Sequence, residues 1–212
     1  MSTILFSHGF GVKADSNGMF TQIAEAFPEH QFIMFDYNTD LGGGDIKVAS
    51  LNEQAKKLQQ KIDEQADGLI IIAHSQGCVI TGMVDLDTAK KVILLAPPVE
   101  MSPERLASKL LNRPGAVIDL DGTSKLPRTD GTTTFIGSDY IQSLTNVDPL
   151  SLYRKVANTV NTTIIRSLND EVLGLTNVNT VANARHFDIE AGHNFTSEAR
   201  RTLISLLKDE LS

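Results

Sequence analysis

Cysteine is nearly absent from this chain. A single residue, Cys78, among 212 leaves neither a disulfide framework nor a zinc cluster built on thiolates. Long apolar runs are missing too: none approaches the ~20 residues that cross a bilayer. No secretory leader precedes the first strand-like run, so the chain reads as cytoplasmic. Basic charge is scarce, with 19 Lys and Arg against 26 Asp and Glu and a formal net charge of -7. That balance argues against a general nucleic-acid binder, which carries a basic patch. Neither an internal repeat nor a low-complexity tract is present. What remains is an acidic chain with 41% hydrophobic residues, enough to bury one core, and it is expected to be a single domain over residues 1–212.

Short β-branched runs alternate with helical patterns. Strands are expected at Thr3–Phe6, Gln31–Asp36, Leu69–Ala73, Lys91–Leu95, Thr162–Leu168 and Arg185–Ile189. Helices are expected between them at Gly18–Ala26, Ala49–Glu64 and Gly77–Leu86, with a last one at Ser197–Leu211. In the second of these, Ala55, Leu58 and Ile62 form an apolar stripe opposite a polar face. Such alternation predicts right-handed βαβ units and a mostly parallel sheet of about six strands flanked by helices. Residues 96–161 exceed what one crossover needs. Within them Arg105–Leu111, Ser138–Leu144 and Pro149–Asn158 read as helical, and Ala116–Leu120 and Thr132–Ile136 as strands around a turn-rich Asp121–Gly131. Gly42-Gly43-Gly44 reads as a flexible loop.

The most informative run is Ala73-His74-Ser75-Gln76-Gly77, directly after the apolar Leu69–Ile72. A serine with small residues two positions away on each side suits a sharp strand-to-helix turn that leaves the hydroxyl clear. Small neighbours are needed because that turn brings strand and helix backbones together. Ser75 is therefore the candidate nucleophile. After the first strand, His8-Gly9-Phe10-Gly11 offers backbone N–H groups unobstructed by side chains. Donors of that kind hold the oxyanion of a tetrahedral intermediate, and the N–H of Gln76 would supply a second one. Asp170 follows the strand candidate ending at Leu168, and His193 follows the one ending at Ile189. In a parallel sheet those carboxyl ends share one edge, where Ser75, Asp170 and His193 can converge. Asp139 and Asp148 remain alternatives for the acid. Asp188 and Glu190 alternate with apolar neighbours and read as a solvated face. His30 and His186 lack convergent partners.

These four motifs, in this order, resemble the α/β-hydrolase fold superfamily and its small bacterial serine esterases and lipases over nearly the whole chain. The resemblance implies Ser75, His193 and Asp170 as nucleophile, base and acid. It also implies the N–H groups of Phe10 and Gln76 as the oxyanion hole, with His8, Gly9 and His74 lining the pocket. Ala73 stands where the family often has glycine, a change small enough for the turn. Residues 99–147 would form a cap or lid over the site. The expected partner is a small-molecule ester, with no metal or cofactor, no nucleic acid and no membrane span. Other acyl substrates (thioesters, amides, lactones) and a catalytically silent binding protein stay open alternatives. The sequence does not specify an oligomeric state.

Overall fold

A computed structural model describes residues 1–65, 68–111 and 113–211. The strands are β1 (Thr3–Ser7), β2 (Gln31–Ile33), β3 (Thr39–Gly42), β4 (Asp45–Val48), β5 (Leu69–His74), β6 (Ala89–Leu95), β7 (Thr123–Pro127), β8 (Thr133–Gly137), β9 (Asn161–Ser167) and β10 (Arg185–Ile189). The helices are α1 (Met19–Ala26), α2 (Leu51–Asp63), α3 (Gln76–Gly82), α4 (Pro103–Leu111), α5 (Ser138–Ser143), α6 (Pro149–Thr159) and α7 (Glu198–Leu211).

Six strands form one sheet in the order β10-β9-β6-β5-β1-β2, and every neighbouring pair is parallel. Successive residues of a strand point to opposite faces, and both faces here are covered. Leu5, Ile71, Ala73, Val92 and Leu94 pack with Leu58 of α2, Val79 of α3 and Tyr153 of α6. Ile4, Phe6, Ile70, Ile72 and Ile93 pack on the other side with Phe20 of α1 and Leu203 and Leu207 of α7. Burial on both faces explains why the central strands read as unbroken apolar runs rather than alternating ones. The strand order reverses direction between β1 and β5. A crevice at the carboxyl ends of these strands is the natural ligand position in an open parallel sheet.

Side-chain caps set the starts of α2 and α6. Ser50 caps α2 by accepting the Glu53 N–H, while the Glu53 carboxylate accepts the Ser50 N–H in return. Asp148 caps α6 ahead of Pro149, accepting the Ser151 N–H at 3.1 Å.

A second, four-stranded sheet has the order β3-β4-β8-β7. It departs from the sequence reading in three places. Gly42–Gly44 is the turn of the β3–β4 hairpin. Gly42 pairs with Asp45, and Gly43 and Gly44 occupy the left-handed region with φ of 63° and 92°, which suits a tight two-residue turn. Ala116–Leu120 is not a strand: only Val117 bridges, to Lys125. The strand lies instead at Thr123–Pro127, inside the segment read as turns, paired antiparallel with β8. Ser124 and Leu126 face inward while Thr123, Lys125 and Pro127 face out. Its polar composition hides a two-residue alternation, and Pro127 is tolerated at the sheet margin. The largest differences at element ends are in β2, which stops at Ile33 rather than Asp36, and in α3, which stops at Gly82 rather than Leu86. Among the described residues no helix is long and apolar enough to cross a membrane.

Candidate active site

The sharp turn at Ser75 is a measurable distortion. Between β5 and α3 its backbone adopts φ 55° and ψ -123°, a conformation that L-residues avoid and that costs roughly 1–3 kcal/mol. The sheet holds it there, because the Ser75 N–H donates to the Leu95 carbonyl of the neighbouring strand at 2.9 Å. Six of the seven described non-glycine residues with positive φ lie in loops at the carboxyl edge of this sheet. They are Ser16 and Asn17 after β1, Ser75 after β5, Ala96 after β6, and Phe195 and Ser197 after β10. Strain concentrated on one edge marks that edge as a candidate functional site.

Close approach explains the small residues around the turn. A Cβ on Gly77 would stand 2.1 Å from the Ser7 carbonyl oxygen and 2.8 Å from that of His8. Backbone oxygens of a central strand cannot retreat that far. Gly77→Ala is therefore expected to lose at least ~3 kcal/mol of stability or to fail to fold. Urea denaturation checks this, and a loss below about 1 kcal/mol would contradict it.

Ser75 Oγ lies 3.0 Å from His193 Nε2, and His193 Nδ1 lies 2.7 Å from Asp170 Oδ2. All three residues are buried. The other carboxylate oxygen of Asp170 accepts the N–H groups of Val172 (2.9 Å) and Leu173 (2.7 Å). Burial alone would raise the Asp170 pKa. The His193 partner and the two backbone donors outweigh it and hold the carboxyl below its ordinary range. With Asp170 ionised, Nδ1 of His193 carries the proton and Nε2 is free to accept from Ser75. Asp148 is engaged as a helix cap and Asp139 is exposed in the first turn of α5, so neither is the residue at His193.

Three further residues support the histidine, and none was singled out from the sequence. Glu171 accepts the His193 N–H at 2.9 Å. Arg200 spans the loop that follows, donating to the carbonyls of Phe195 (2.9 Å) and Asn194 (2.7 Å) and to Gln22 Oε1 (2.8 Å). Ser16 closes the set through His74. The His193 carbonyl can only accept, so His74 Nε2 is the donor at 3.0 Å, and Nδ1 lies 3.0 Å from the Ser16 hydroxyl.

Burial keeps His74 neutral, so its Nδ1 accepts from the Ser16 hydroxyl. Burial, and secondarily the charge of His193, pushes its pKa down to about 3. An unfolded histidine titrates near 6.5. Below that pH the unfolded chain therefore binds the extra proton, and stability falls as pH drops from about 6.5 toward 3. Replacing His74 by Gln is expected to remove up to ~1.4 kcal/mol of that loss per pH unit. Comparing urea stability at pH 7 and pH 5 in wild type and variant checks it, and identical pH slopes would contradict it.

The loop after β1 is fixed in a similar way. His8 Nδ1 donates to the Gly9 carbonyl at 2.9 Å, and Nε2 accepts the Tyr37 N–H at 3.0 Å. Burial lowers its pKa, in keeping with a neutral ring. Gly9 lies against Ser75, since a Cβ there would be 3.2 Å from the Ser75 Cβ. Phe10 and Gln76 thus flank Ser75 from the β1 and β5 loops. Gln76 is the first residue of α3, where N–H groups lack partners within the helix. His30 and His186 lie elsewhere in the fold: His30 accepts the Ser2 N–H and His186 donates to the Val181 carbonyl. Cys78 is buried, and burial raises its thiol pKa. Among the described residues no group of His, Cys, Asp or Glu could hold a metal ion.

No protein-family model matches the chain, and no curated protein matches it. Its likeness to solved structures is extensive. The esterase domain of a Rhodothermus marinus protein is 18% identical, with a TM-score of 0.63 over 97% of this chain and 84% of that one. The Paleococcus ferrophilus monoacylglycerol lipase is 13% identical, with a TM-score of 0.66 over 97% and 93%. A pyrethroid hydrolase from Sphingobium faniae is 13% identical, with a TM-score of 0.66 over 98% and 96%. Together with the parallel sheet and its reversal point beside Ser75, these likenesses identify the architecture: the chain has the α/β-hydrolase fold.

Proposed function

We propose that this protein hydrolyses carboxylic esters through a covalent acyl-serine. The reading rests on one observation, the hydrogen-bonded series Asp170–His193–Ser75 at the carboxyl edge of the sheet. His193 Nε2 takes the proton of Ser75 Oγ as the oxygen attacks the acyl carbon. The carbonyl electron pair moves to oxygen, and the N–H groups of Phe10 and Gln76 receive the negative charge. Collapse of the intermediate expels the alcohol, which leaves with the proton held by His193. Water then repeats the sequence on the acyl-serine and releases the acid and free Ser75. Asp170 keeps the histidine tautomer fixed and stabilises the imidazolium. Esterase, lipase and hydrolase relatives in structure support the choice of ester over other substrates.

Residues 99–147 are proposed to cap the cleft. Their helix α4 reaches the loop that carries Asp170, with Arg105 donating to the Leu173 carbonyl at 3.0 Å. A modest cap of this size favours small, fairly soluble esters. Hydrolysis of p-nitrophenyl esters from acetate to long chains tests the reading. Turnover that is strongest for short to medium acyl groups is expected, and a folded protein inert on the whole series would contradict it.

A further inference from the structure

Tyr140 takes no part in the steps above, yet it touches both loops that flank Ser75. It is the third residue of α5, carried by the 99–147 insertion, and its side chain is fully buried. Its ring packs on that of Phe10, with centroids 5.3 Å apart and planes inclined by 36°. Its hydroxyl meets Gln76 Oε1. The direction of that bond is fixed from the far end of a buried chain. The Ala49 carbonyl can only accept, so Gln54 Nε2 donates to it at 2.6 Å. Gln54 Oε1 then faces Gln76 Nε2, its donor at 2.9 Å. Gln76 Oε1 is left for Tyr140, which must donate. Burial raises the Tyr140 pKa, so the donor persists at every working pH.

The contact matters because Phe10 and Gln76 lie on separate loops, after β1 and after β5. The Ser75 side chain makes no capping bond to α3. A hydrogen-bond donor aimed at a developing oxyanion works over a narrow range of distance, so the spacing of the two loops sets the rate. We infer that Tyr140 is a positioning residue, which fixes the spacing of the two oxyanion donors by holding Phe10 with its ring and Gln76 with its hydroxyl. This rests on the ester-hydrolase reading. It gives the insertion a part in turnover beyond covering the cleft.

Tyr140→Phe keeps the ring on Phe10 and removes the hydroxyl. With p-nitrophenyl butyrate, kcat is expected to fall about 10- to 100-fold while KM stays within about threefold. The affinity for an alkyl boronic acid, which forms a tetrahedral adduct on the serine, is expected to fall by the same factor as kcat/KM. A purely structural role would lower the melting temperature and leave both values of the folded protein intact. Gln54→Met removes the acceptor of Gln76 Nε2 while leaving Phe10, Gln76 and Tyr140 unsubstituted, and should lower kcat and boronate affinity together by a smaller factor. It provides the test if Tyr140→Phe does not fold. An active wild type whose variants keep kcat and boronate affinity within twofold would overturn the assignment of Tyr140 alone. A wild type inert on every ester would overturn the hydrolase reading and this inference with it.

Discussion

Replacing Ser75 by alanine is expected to lower ester turnover by about 10^5- to 10^6-fold, the size found when the nucleophile of a serine hydrolase is removed. The fold should survive. Alanine fits the same turn, and the Ser75 N–H to Leu95 bond involves only the backbone. The strained φ of 55° persists in the alanine variant. Ser75→Gly, equally inactive, should gain stability because glycine occupies that region freely. Progress curves at high enzyme concentration, with circular dichroism on the same samples, check both statements. Retention of more than about 1% of wild-type activity in Ser75→Ala would mean that another group attacks the ester.

Asp170→Asn should cost about 10^4-fold in kcat, with KM little changed. The reason lies in the two bonds on the far side of the carboxylate. Oδ1 accepts from Val172 and Leu173, so the oxygen of an asparagine must stay there and its NH2 must face His193. Nδ1 of the histidine then becomes an acceptor, its proton moves to Nε2, and that nitrogen can no longer accept from Ser75. The charge that stabilises the imidazolium is lost in the same step. Kinetics of the purified variant at neutral pH check this. A fall of less than tenfold would place the acid elsewhere.

How much of this was legible in the sequence depends on what each residue does locally. The parallel strands were readable because their burial on both faces writes continuous apolar runs, as in Leu69–Ile72. Strand β7 was not. Thr123-Ser124-Lys125-Leu126-Pro127 is polar, short and marginal in its sheet, and only the pairing with β8 shows that Ser124 and Leu126 face inward. The hairpin at Gly42–Gly44 reads from sequence only as a flexible loop because its strands, Thr39–Gly42 and Asp45–Val48, carry few apolar residues. Ser75, Asp170 and His193 stood out as residues placed just past strand ends, and the fold brings them within hydrogen-bonding distance.

The supporting residues were harder to find, for a physical reason. Tyr140, Gln54 and Arg200 act through contacts distant in sequence. Two of them did leave a trace. Gln54 falls in line with Leu51, Leu58 and Ile62 on the buried face of α2. Arg200 falls in line with Leu203 and Leu207 on that of α7. A polar side chain inside an apolar helical stripe must find a buried partner, and that signal was available without any structure. Tyr140 left none, because a tyrosine in a short helix is ordinary.

The proposed reaction turns on Ser75 as a nucleophile activated by His193. Reaction of the folded protein with a fluorophosphonate, followed by digestion and peptide mass spectrometry, tests it most directly. One adduct is expected, on Ser75, formed by the native protein and lost both in His193→Ala and after denaturation. An unlabelled native protein, or an adduct confined to another residue, would contradict it.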